Sequence, residues 1–347
     1  MTTGSVAREE YRKDRIIHVV VTCSDRKTRS PETSARAREL RGESVAARMR
    51  SWQAALASHA EQYIPADDLY AGDHWQVVRS LAGSAPPGID VRIWICSAGY
   101  GLISLNTPLA AYAATFDAAH PDAVAPSNAN FGATEWWAAL TRWPLAGATH
   151  RSITDVATRA IARNELLLVV LSRQYLAALV HDLQGAANII GDRLLLLSTG
   201  TRAQSLRSSH PTAPSLADLL LPANSGLKAL VGGAMQSLNA RVARQALRAA
   251  HEWIEEPSNL HRLVTQWSAE APVTRAANRS RSDDAAIRQY ITAALRKNSS
   301  VSHSSLLHML RSDGRACEQS RFRDLFREVV EKVLRSQASK AYSGIRT

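Results

Sequence analysis

The chain has 347 residues with a hydrophobic fraction of 45%, enough for a catalytic domain and a smaller appended one. A net charge of +11 and an isoelectric point of about 10.0 favour an acidic partner, most often nucleic acid. Three cysteines are too few for a disulfide framework, and no apolar run approaches the ~20 residues that a membrane span needs. Because the polar N-terminus carries no secretory signal, we expect a cytoplasmic protein without membrane contact.

Four short apolar runs are predicted to be strands of one sheet. They are Ile16–Thr22, Val91–Ser97, Leu166–Ser172 and Leu194–Thr199. Near-continuous apolar runs of this length are typical of strands that are buried on both faces of a parallel sheet. The helical patterns between them are Ser44–Tyr63, Trp75–Leu81, Ser152–Asn164 and Tyr175–Leu183. Strands that alternate with helices predict an α/β protein with right-handed crossovers, in the form of a three-layer α/β/α sandwich.

Each predicted strand runs into a polar cluster, and a parallel sheet brings such clusters to the edge where ligands bind. The clusters are Cys23–Lys27, Ser97–Gly101, Ser172–Gln174 and Ser198–Arg202. We therefore expect Ser172 to contact substrate and Arg202 to contact nucleic acid. Between the second and third strands, Asp117–Trp143 is rich in Pro, Asn and Gly, which indicates a long surface excursion or lid.

After Pro222 the pattern changes to helices, which predicts an α/β domain at 1–225 and a basic helical region at 226–347. The predicted helices are Leu227–Trp253, Asn259–Trp267, Asp284–Lys297, Ser304–Leu310 and Glu318–Leu334. Residues 271–347 hold 15 Lys and Arg against 7 Asp and Glu, so most of the excess positive charge lies there. Pro272–Ser282 is predicted to be a flexible basic linker.

The last two predicted helices flank a short turn, Arg311–Ala316, that contains Gly314. A helix–turn–helix with several arginines is typical of a DNA-binding module. A two-helix packing unit with solvated arginines explains the pattern equally well. On the DNA-binding interpretation, the residues that contact phosphates are Arg279, Arg281, Arg315, Arg321 and Arg323.

The sharpest candidate site is Thr22–Lys27, directly after the first strand. Asp25 beside a cation can stay ionised and orient a water molecule or face a developing positive charge. Lys27 suits a phosphate, and Cys23 and Ser24 lie where a substrate would bind. The alternative, which spacing alone favours somewhat, is a helix N-cap at Ser24 or Asp25 with solvated cations.

A second cluster, Asp68–Trp75, gathers aromatic and polar side chains around a glycine. Tyr70 and Trp75 could stack on an extruded base, while Asp73 and His74 bond to the edge of that base. The alternative is a helix that starts at Asp73 and buries Trp75 in the core.

A third cluster, Cys96–Leu102, contains two glycines that permit a close approach of the backbone to a ligand. Ser97, Tyr100 and, further along the chain, Tyr112 could form the wall of a pocket. Gly-x-Gly alone is a weak signal and is not the dinucleotide-binding fingerprint.

No metal site and no cofactor are predicted. The eleven histidines are scattered without metal-ligand spacing, and none of the three cysteines is spaced for zinc. No Walker loop is present, so nucleotide hydrolysis is not expected. Cys23 and Cys96 each end a strand, where free cysteines are more often small buried hydrophobic residues than nucleophiles.

Three segments together, CSDRK, LYAGDHW and ICSAGYGLIS leading to PLAAYAATF, resemble a bacterial family of uncharacterised function. Its members carry Cys-Ser-x-x-Lys, Leu-Tyr and Ser-Ala-x-Tyr-Gly-Leu motifs in that order. That family is similar to the catalytic domain of archaeosine synthase and, through it, to the uracil-DNA glycosylase superfamily. The resemblance covers about the first 200 residues and implies a four-stranded parallel sheet with strand order 2-1-3-4.

In uracil-DNA glycosylases a carboxylate just after the first strand activates water, and Asp25 is the only carboxylate within Cys23–Lys27. Their His-Pro-Ser loop, which clamps the duplex, is similar to Ser209–Ser215, which would make His210 a DNA contact. This segment, however, lies well beyond the strand end at Thr199. Their Gly-Gln-Asp-Pro-Tyr signature is absent, so uracil is not the expected substrate.

In organisation the chain is also similar to phage-defence glycosylases that remove glucosylated hydroxymethylcytosine. The resemblance implies a monomeric, monofunctional DNA glycosylase that flips out a modified base, such as a hypermodified cytosine of phage DNA, and leaves an abasic site. Asp25 would position the attacking water, and Lys27 would hold a flanking phosphate.

Two alternatives stay open. The first is an RNA- or tRNA-modifying enzyme related to archaeosine synthase, in which Lys27 handles an amine. The second is a non-catalytic sensor of nucleic acid or nucleotide, which would bind with a steep salt dependence and release no base.

Overall fold

A computed structural model of the chain describes residues 15–206, 215–271, 280–298 and 301–343. The chain forms two compact units, residues 1–273 and 274–347. The boundary expected after residue 225 lies inside the first unit. Its position differs because Leu238, Trp253 and Leu260, from the helices after Pro222, join the same hydrophobic core as the sheet.

Seven strands and eleven α-helices, joined by short 3-10 turns, make up the described part of the first unit. Its strands are β1 (Arg15–Thr22), β2 (Ile64–Pro65), β3 (Ile89–Ser97), β4 (Gly101–Ser104), β5 (Pro108–Leu109), β6 (Leu166–Val170) and β7 (Leu194–Leu197). Its helices are α1 (Val45–Ala57), α2 (Ala66–Leu69), α3 (Asp73–Arg79), α4 (Ala133–Arg142), α5 (Ile153–Ile161), α6 (Arg173–Ala178), α7 (Val180–Ile190), α8 (Leu216–Leu219), α9 (Lys228–Val231), α10 (Leu238–Arg248) and α11 (Ser258–Glu270).

The central sheet has five strands in the order β4-β3-β1-β6-β7. Strands β3, β1, β6 and β7 are parallel, and Val19 in β1 is paired with Ile93 on one side and Leu168 on the other. Strand β4 runs antiparallel to β3. The α/β class is therefore confirmed, but the sheet is mixed and five-stranded. The extra strand arises because Gly101, at φ 76°, lets the chain turn back directly after Ser97.

The central residues of β1, β6 and β7 are inaccessible to solvent. Because both faces of these strands are buried, their sequences are recognisable as apolar runs. Helix α5 begins as its sequence predicts: the Ser152 side chain accepts from the Asp155 amide, and the Asp155 carboxylate accepts from the Ser152 amide. The single helix predicted over Leu227–Trp253 is wrong, because Gly232 and Gly233 both adopt positive φ and separate α9 from α10.

The segment between β3 and β6 is only partly a surface excursion. It contains α4, whose Trp136 and Trp137 are almost fully buried. The Trp136 indole donates to the carbonyl of Ala98, and the Trp52 indole donates to the carbonyl of Gly99. Two tryptophans therefore fix the turn that follows β3.

Arg151 ties β4 to α4 through main-chain carbonyls alone. Its guanidinium donates to the carbonyls of Tyr100, Leu102, Leu140 and Trp143, at distances of 2.7 to 2.9 Å. Burial lowers the pKa of Arg151 to about 10.

A buried polar trio crosses the middle of the sheet. The His18 Nε2 lies 2.6 Å from a carboxylate oxygen of Glu165, and the Trp94 indole donates to His18 Nδ1 at 2.9 Å. Because Nδ1 accepts, Nε2 carries the proton and the ring is neutral. Burial lowers the pKa of His18, although the carboxylate opposes this effect.

The second unit consists of three helices and two short strands. In chain order these are β8 (Ser280–Arg281), α12 (Asp284–Lys297), α13 (His303–Ser312), β9 (Arg315–Ala316) and α14 (Gln319–Ser343). Strands β8 and β9 pair in parallel, and the helices enclose a small core that includes Ile287, Leu310 and Phe322. The three helices predicted here are confirmed. Residues 272–279 of the predicted linker lie outside the described residues.

Candidate active site at the carboxyl end of β1

A cavity of about 440 Å³ opens at the carboxyl end of β1. Its walls come from the turn after β1, from the start of α3 and from the segment just before α10. Residues that line it include Cys23, Asp25, Arg26, Asp73, His74 and Gln236. The sheet edge thus brings together two of the three clusters that the sequence singled out, although about 50 residues separate them along the chain.

Asp25 is exposed at this cavity, and its carboxylate has no hydrogen bond or salt bridge to any described residue. The alternative of a helix N-cap at Ser24 or Asp25 is wrong, because the next helical turn begins only at Thr33. The Ser24 hydroxyl instead donates to the carbonyl of Ala71 at 2.7 Å, which joins two walls of the cavity. The Asp25 carboxylate is therefore free to bind a water molecule or a ligand.

Lys27 is half-buried and does not line the cavity. Its ammonium donates to the carbonyl of Asp25 at 3.1 Å and to that of Ser24 at 3.4 Å, and lies 4.3 Å from the centre of the Tyr112 ring. Burial lowers the pKa of Lys27, while neighbouring negative groups oppose the shift. The ammonium thus supports the main chain of the turn that presents Asp25, and the expected phosphate contact has no support in this arrangement.

Asp73 is the first residue of α3, and Gly72 before it has a φ of 91°. The Asp73 carboxylate accepts from the Ser237 hydroxyl at 2.5 Å and from Arg241 at 2.6 Å. The hydrogen bond from Ser237, together with the Arg241 charge, lowers the pKa of Asp73. Both carboxylate oxygens are occupied, so Asp73 anchors α10 to α3 rather than offering a free acceptor to a base.

His74 lines the cavity through an imidazole ring whose Nδ1 atom is buried. Its Nε2 donates to the carbonyl of Thr22 at 3.0 Å, which leaves Nδ1 as an acceptor. That Nδ1 atom is buried and has no hydrogen-bond partner. Burial lowers the pKa of His74, which favours the neutral ring, while the hydrogen bond to Thr22 and the charge of Asp73 oppose the shift.

The aromatic residues expected to stack on a base lie in the core. Tyr70, Trp75, Tyr100 and Tyr112 are each exposed by 1% or less. Tyr112 shares hydrogen bonds with the Tyr70 hydroxyl at 2.8 Å and with the Ser97 hydroxyl at 2.6 Å. Because these hydroxyls find partners inside the protein, the rings can be buried at little cost. The alternative, a helix that starts at Asp73 and buries Trp75, is confirmed.

The remaining expected substrate contacts are also occupied by the fold. Ser97 accepts from the amides of Gly99 and Tyr100, and Ser172 accepts from an amide at the start of α6. The Cys23 thiol, which does line the cavity, lies 3.1 Å from the Tyr175 hydroxyl.

A second cavity, of about 690 Å³, lies between α4 and α6. Apolar side chains dominate its lining, among them Phe116, Ala118 and Leu176. The segment between β3 and β6 therefore lines the larger cavity between α4 and α6. It does not line the cavity at β1.

The expected DNA contacts are dispersed. Arg202 is exposed after β7 and has an interaction partner in the structure. His210 and Arg279 lie outside the described residues, and Arg281 belongs to β8.

The other three expected DNA contacts lie in the second unit and are engaged there. Arg321 donates to the Asp284 carboxylate and to the carbonyl of Ser282. Arg323 lies 3.8 Å from a carboxylate oxygen of its neighbour, Asp324. The Arg315 guanidinium lies 5.2 Å from the centre of the Tyr290 ring.

Sequence reasoning missed the arginines of α10. Arg241, Arg244 and Arg248 recur at helical spacing and so share one face. The i, i+3, i+7 spacing of these arginines is visible in the sequence, whereas the net charge of a region does not show which helix face carries it.

Within the described residues, no group of three His, Cys, Asp or Glu side chains could hold a metal ion. No helix in those same ranges is long and apolar enough to cross a membrane. Comparisons with protein-family models, curated proteins and solved structures gave no significant match.

Proposed function

We propose that this chain is a DNA glycosylase that hydrolyses the bond between deoxyribose and a modified base, with the reacting nucleotide held at the cavity after β1. The observation that carries the proposal is Asp25, an exposed carboxylate with no hydrogen bond or salt bridge to any described residue, at the carboxyl end of a parallel strand. The proposal includes a three-layer α/β/α sandwich of the uracil-DNA glycosylase type. The adjacent parallel strands β3, β1, β6 and β7 support that part.

In this reaction water is the nucleophile. The water oxygen bonds to C1′ of the sugar while Asp25 accepts a proton from that water. At the same time the C1′–N bond breaks, and its electron pair leaves with the base. The positive charge that develops on the sugar is stabilised by the same carboxylate. The modified base and the origin of the DNA, a phage with hypermodified cytosine, come from the sequence resemblance.

An abasic-site assay tests this proposal. The protein is incubated with unmodified DNA, uracil-containing DNA and genomic DNA of phages with hypermodified cytosine, then treated with alkali and run on a denaturing gel. We expect strand breaks only in the modified DNA. Asp25→Asn removes the general base and should reduce the cleavage rate at least about 100-fold.

The matched control is Asp192→Asn, an exposed aspartate at the amino end of β7, on the far edge of the sheet. It should cleave at the wild-type rate. An Asp25→Asn protein that releases base as fast as the wild type would overturn the role of Asp25. If no DNA is cut although DNA is bound, the sensor alternative replaces the glycosylase.

A second candidate function, an RNA-modifying enzyme, is favoured by one observation, the half-buried Lys27 amine close to Cys23 and Tyr112. Burial lowers the pKa of Lys27, which raises the fraction of neutral amine available for bond formation. Lys27→Arg keeps the charge but removes the primary amine. If that variant retains base release while Asp25→Asn does not, the RNA-modifying function is rejected.

A further inference from the structure

Helix α10 carries three arginines, Arg241, Arg244 and Arg248, on one face, and this set is named the arginine stripe. Residues between them, such as Val242, Ala243 and Leu247, are buried against the core. The rise of an α-helix places the first and last members about 10 Å apart along its axis. The stripe is therefore a short row of positive charge held on a rigid element.

The three arginines differ in their partners. Arg241 is neutralised, because it pairs with Asp73 and donates to the Ser237 hydroxyl. Arg244 makes one long hydrogen bond, 3.4 Å to the Ser80 hydroxyl, and Arg248 is exposed. Neither of the latter two has a carboxylate partner among the described residues.

Like charges crowd the middle of the stripe. Burial lowers the pKa of Arg244, the charges of Arg248 and Arg241 lower it further, and the charge of Asp73 opposes the shift. The nearest acid along the chain, Glu252, lies 3.9 Å from His251 and forms no ion pair with the stripe. Crowded cations that share a single nearby counter-charge in the described ranges, Asp73, repel one another, and a bound polyanion relieves that repulsion.

The stripe begins at the edge of the cavity after β1. Asp73, which holds Arg241, lines that cavity, and so does Gln236, two residues before α10. On the cavity wall after β1, the Arg26 side chain packs on Gly72 and has no partner among the described residues. Arg26 thus adds positive charge at the cavity itself, and the stripe begins beside the cavity at Arg241, whose charge Asp73 neutralises.

We propose that Arg244, Arg248 and Arg26 bind successive phosphates of the DNA strand whose modified base enters the cavity. This inference rests on the proposed function and deepens it by assigning the surface along which the strand lies. The helical rise places Arg244 and Arg248 about 6 Å apart, which at about 3.4 Å per phosphate along one strand of a duplex matches about two phosphates. The main phosphate contacts therefore lie on the first unit and not on Arg315, Arg321 or Arg323 of the second.

The experiment measures the binding of full-length protein to a fluorescein-labelled, unmodified 20-base-pair duplex by anisotropy over a range of salt concentrations. All variants carry Asp25→Asn, so the measurement does not depend on catalysis. The test variant is Arg244→Ala/Arg248→Ala, and the matched control is Arg321→Ala/Arg323→Ala. Thermal melting confirms that each protein is folded.

We expect the test variant to lose at least about 10-fold in affinity. The slope of log affinity against log salt should become shallower by about 2, because each lost phosphate contact reduces the slope by about 0.9. The control should keep the affinity and slope of the parent. Arg244→Lys/Arg248→Lys, which retains both charges, should recover most of the affinity and separates lost charge from lost packing.

The inference is overturned if the test variant binds with the affinity and slope of the parent, or if the control loses more than the test variant. Because the binding assay uses unmodified DNA and an inactive background, its failure leaves the abasic-site result untouched. Conversely, Arg244→Ala/Arg248→Ala could lose DNA affinity as expected while the wild type releases no base. That result would reject the glycosylase function but support the arginine stripe as a nucleic-acid-binding surface.

Discussion

The arginines of the two units differ in what they contact. In the second unit, Arg321 has a carboxylate partner in Asp284 and Arg315 lies over an aromatic ring, whereas Arg244 and Arg248 on α10 have neither kind of partner in the part of the chain that the structure describes. The second unit nevertheless carries most of the excess charge of the chain. A regional charge count therefore locates basic residues, while their partners decide which of them are free to bind phosphate.

Unfolding the second unit alone tests most directly which of the two units carries the main DNA-binding surface. Phe322 is fully buried in its core, and Phe322→Ala should cost about 3–5 kcal/mol through lost burial and a cavity. Calorimetry should show a shift of one transition only, and affinity for DNA should stay within about 2-fold because the arginine stripe is unchanged. The control is Met309→Ala in the same unit, where the side chain is 51% exposed. A large loss of affinity with Phe322→Ala would assign the main DNA surface to the second unit.

A second prediction concerns the hydroxyl that links Arg241, the first member of the arginine stripe, to Asp73. Ser237→Ala removes the buried hydroxyl that bonds both Asp73 and Arg241, and we expect a loss of about 1.5 kcal/mol in the free energy of unfolding. Urea denaturation measures it, with Ser258→Ala, an exposed serine on α11, as the control. Since Arg241 is already neutralised by Asp73, the salt slope for DNA should change less than in Arg244→Ala. An equal change in slope would show that the Ser237 network also positions the arginines that bind phosphate.

Acid provides a further test that concerns the first unit. Burial lowers the pKa of His18, so the unfolded chain binds a proton near its ordinary value of about 6.5 while the folded chain does not. Stability is therefore fully present above that value and falls as the pH drops, by up to about 1.4 kcal/mol per pH unit for this group. Urea denaturation at pH 7.5, 6.5 and 5.5 measures the slope. His18→Gln should reduce it, and the exposed His181→Gln should not. A slope unchanged by His18→Gln would place the acid sensitivity elsewhere.

The smallest expected effect is that of the ion pairs in the second unit. Arg321 and Asp284 are 41% and 48% exposed, so Arg321→Ala should cost no more than about 1 kcal/mol. Arg288→Ala, which breaks the similarly exposed pair with Glu328, is the matched comparison. Neither substitution should alter DNA affinity in the anisotropy assay. A loss of affinity confined to Arg321→Ala would show that this arginine leaves Asp284 to bind phosphate.

The four parallel strands were predictable because burial on both faces leaves an unmistakable apolar run, and α5 was predictable because Ser152 and Asp155 form a local cap. Strand β4 was missed, since Gly101-Leu102 looks like part of a loop until pairing with β3 is considered. The division at residue 273 was also missed. It depends on Trp253 and Leu260 packing against distant strands, which no local pattern reports.

For the site, the sequence identified the right strand ends but not the burial of their side chains. Asp25 and His74 do line one cavity, whereas Tyr70 and Tyr112 turn inward because each finds the other as a hydrogen-bond partner. The partners of Asp73 lie 164 and 168 residues away in the chain, at Ser237 and Arg241. Contacts at that separation carry no signature in a single sequence.

The four carbonyl bonds of Arg151 bear on how the protein tolerates mutation. Main-chain carbonyls are the same for every amino acid, so the residues at 100, 102, 140 and 143 could be exchanged without breaking these bonds. Arg151 itself has no such freedom, because lysine cannot donate in several fixed directions from one planar group. In a library of single variants, position 151 should accept almost no substitution, while the positions that it contacts would be limited only by their own packing.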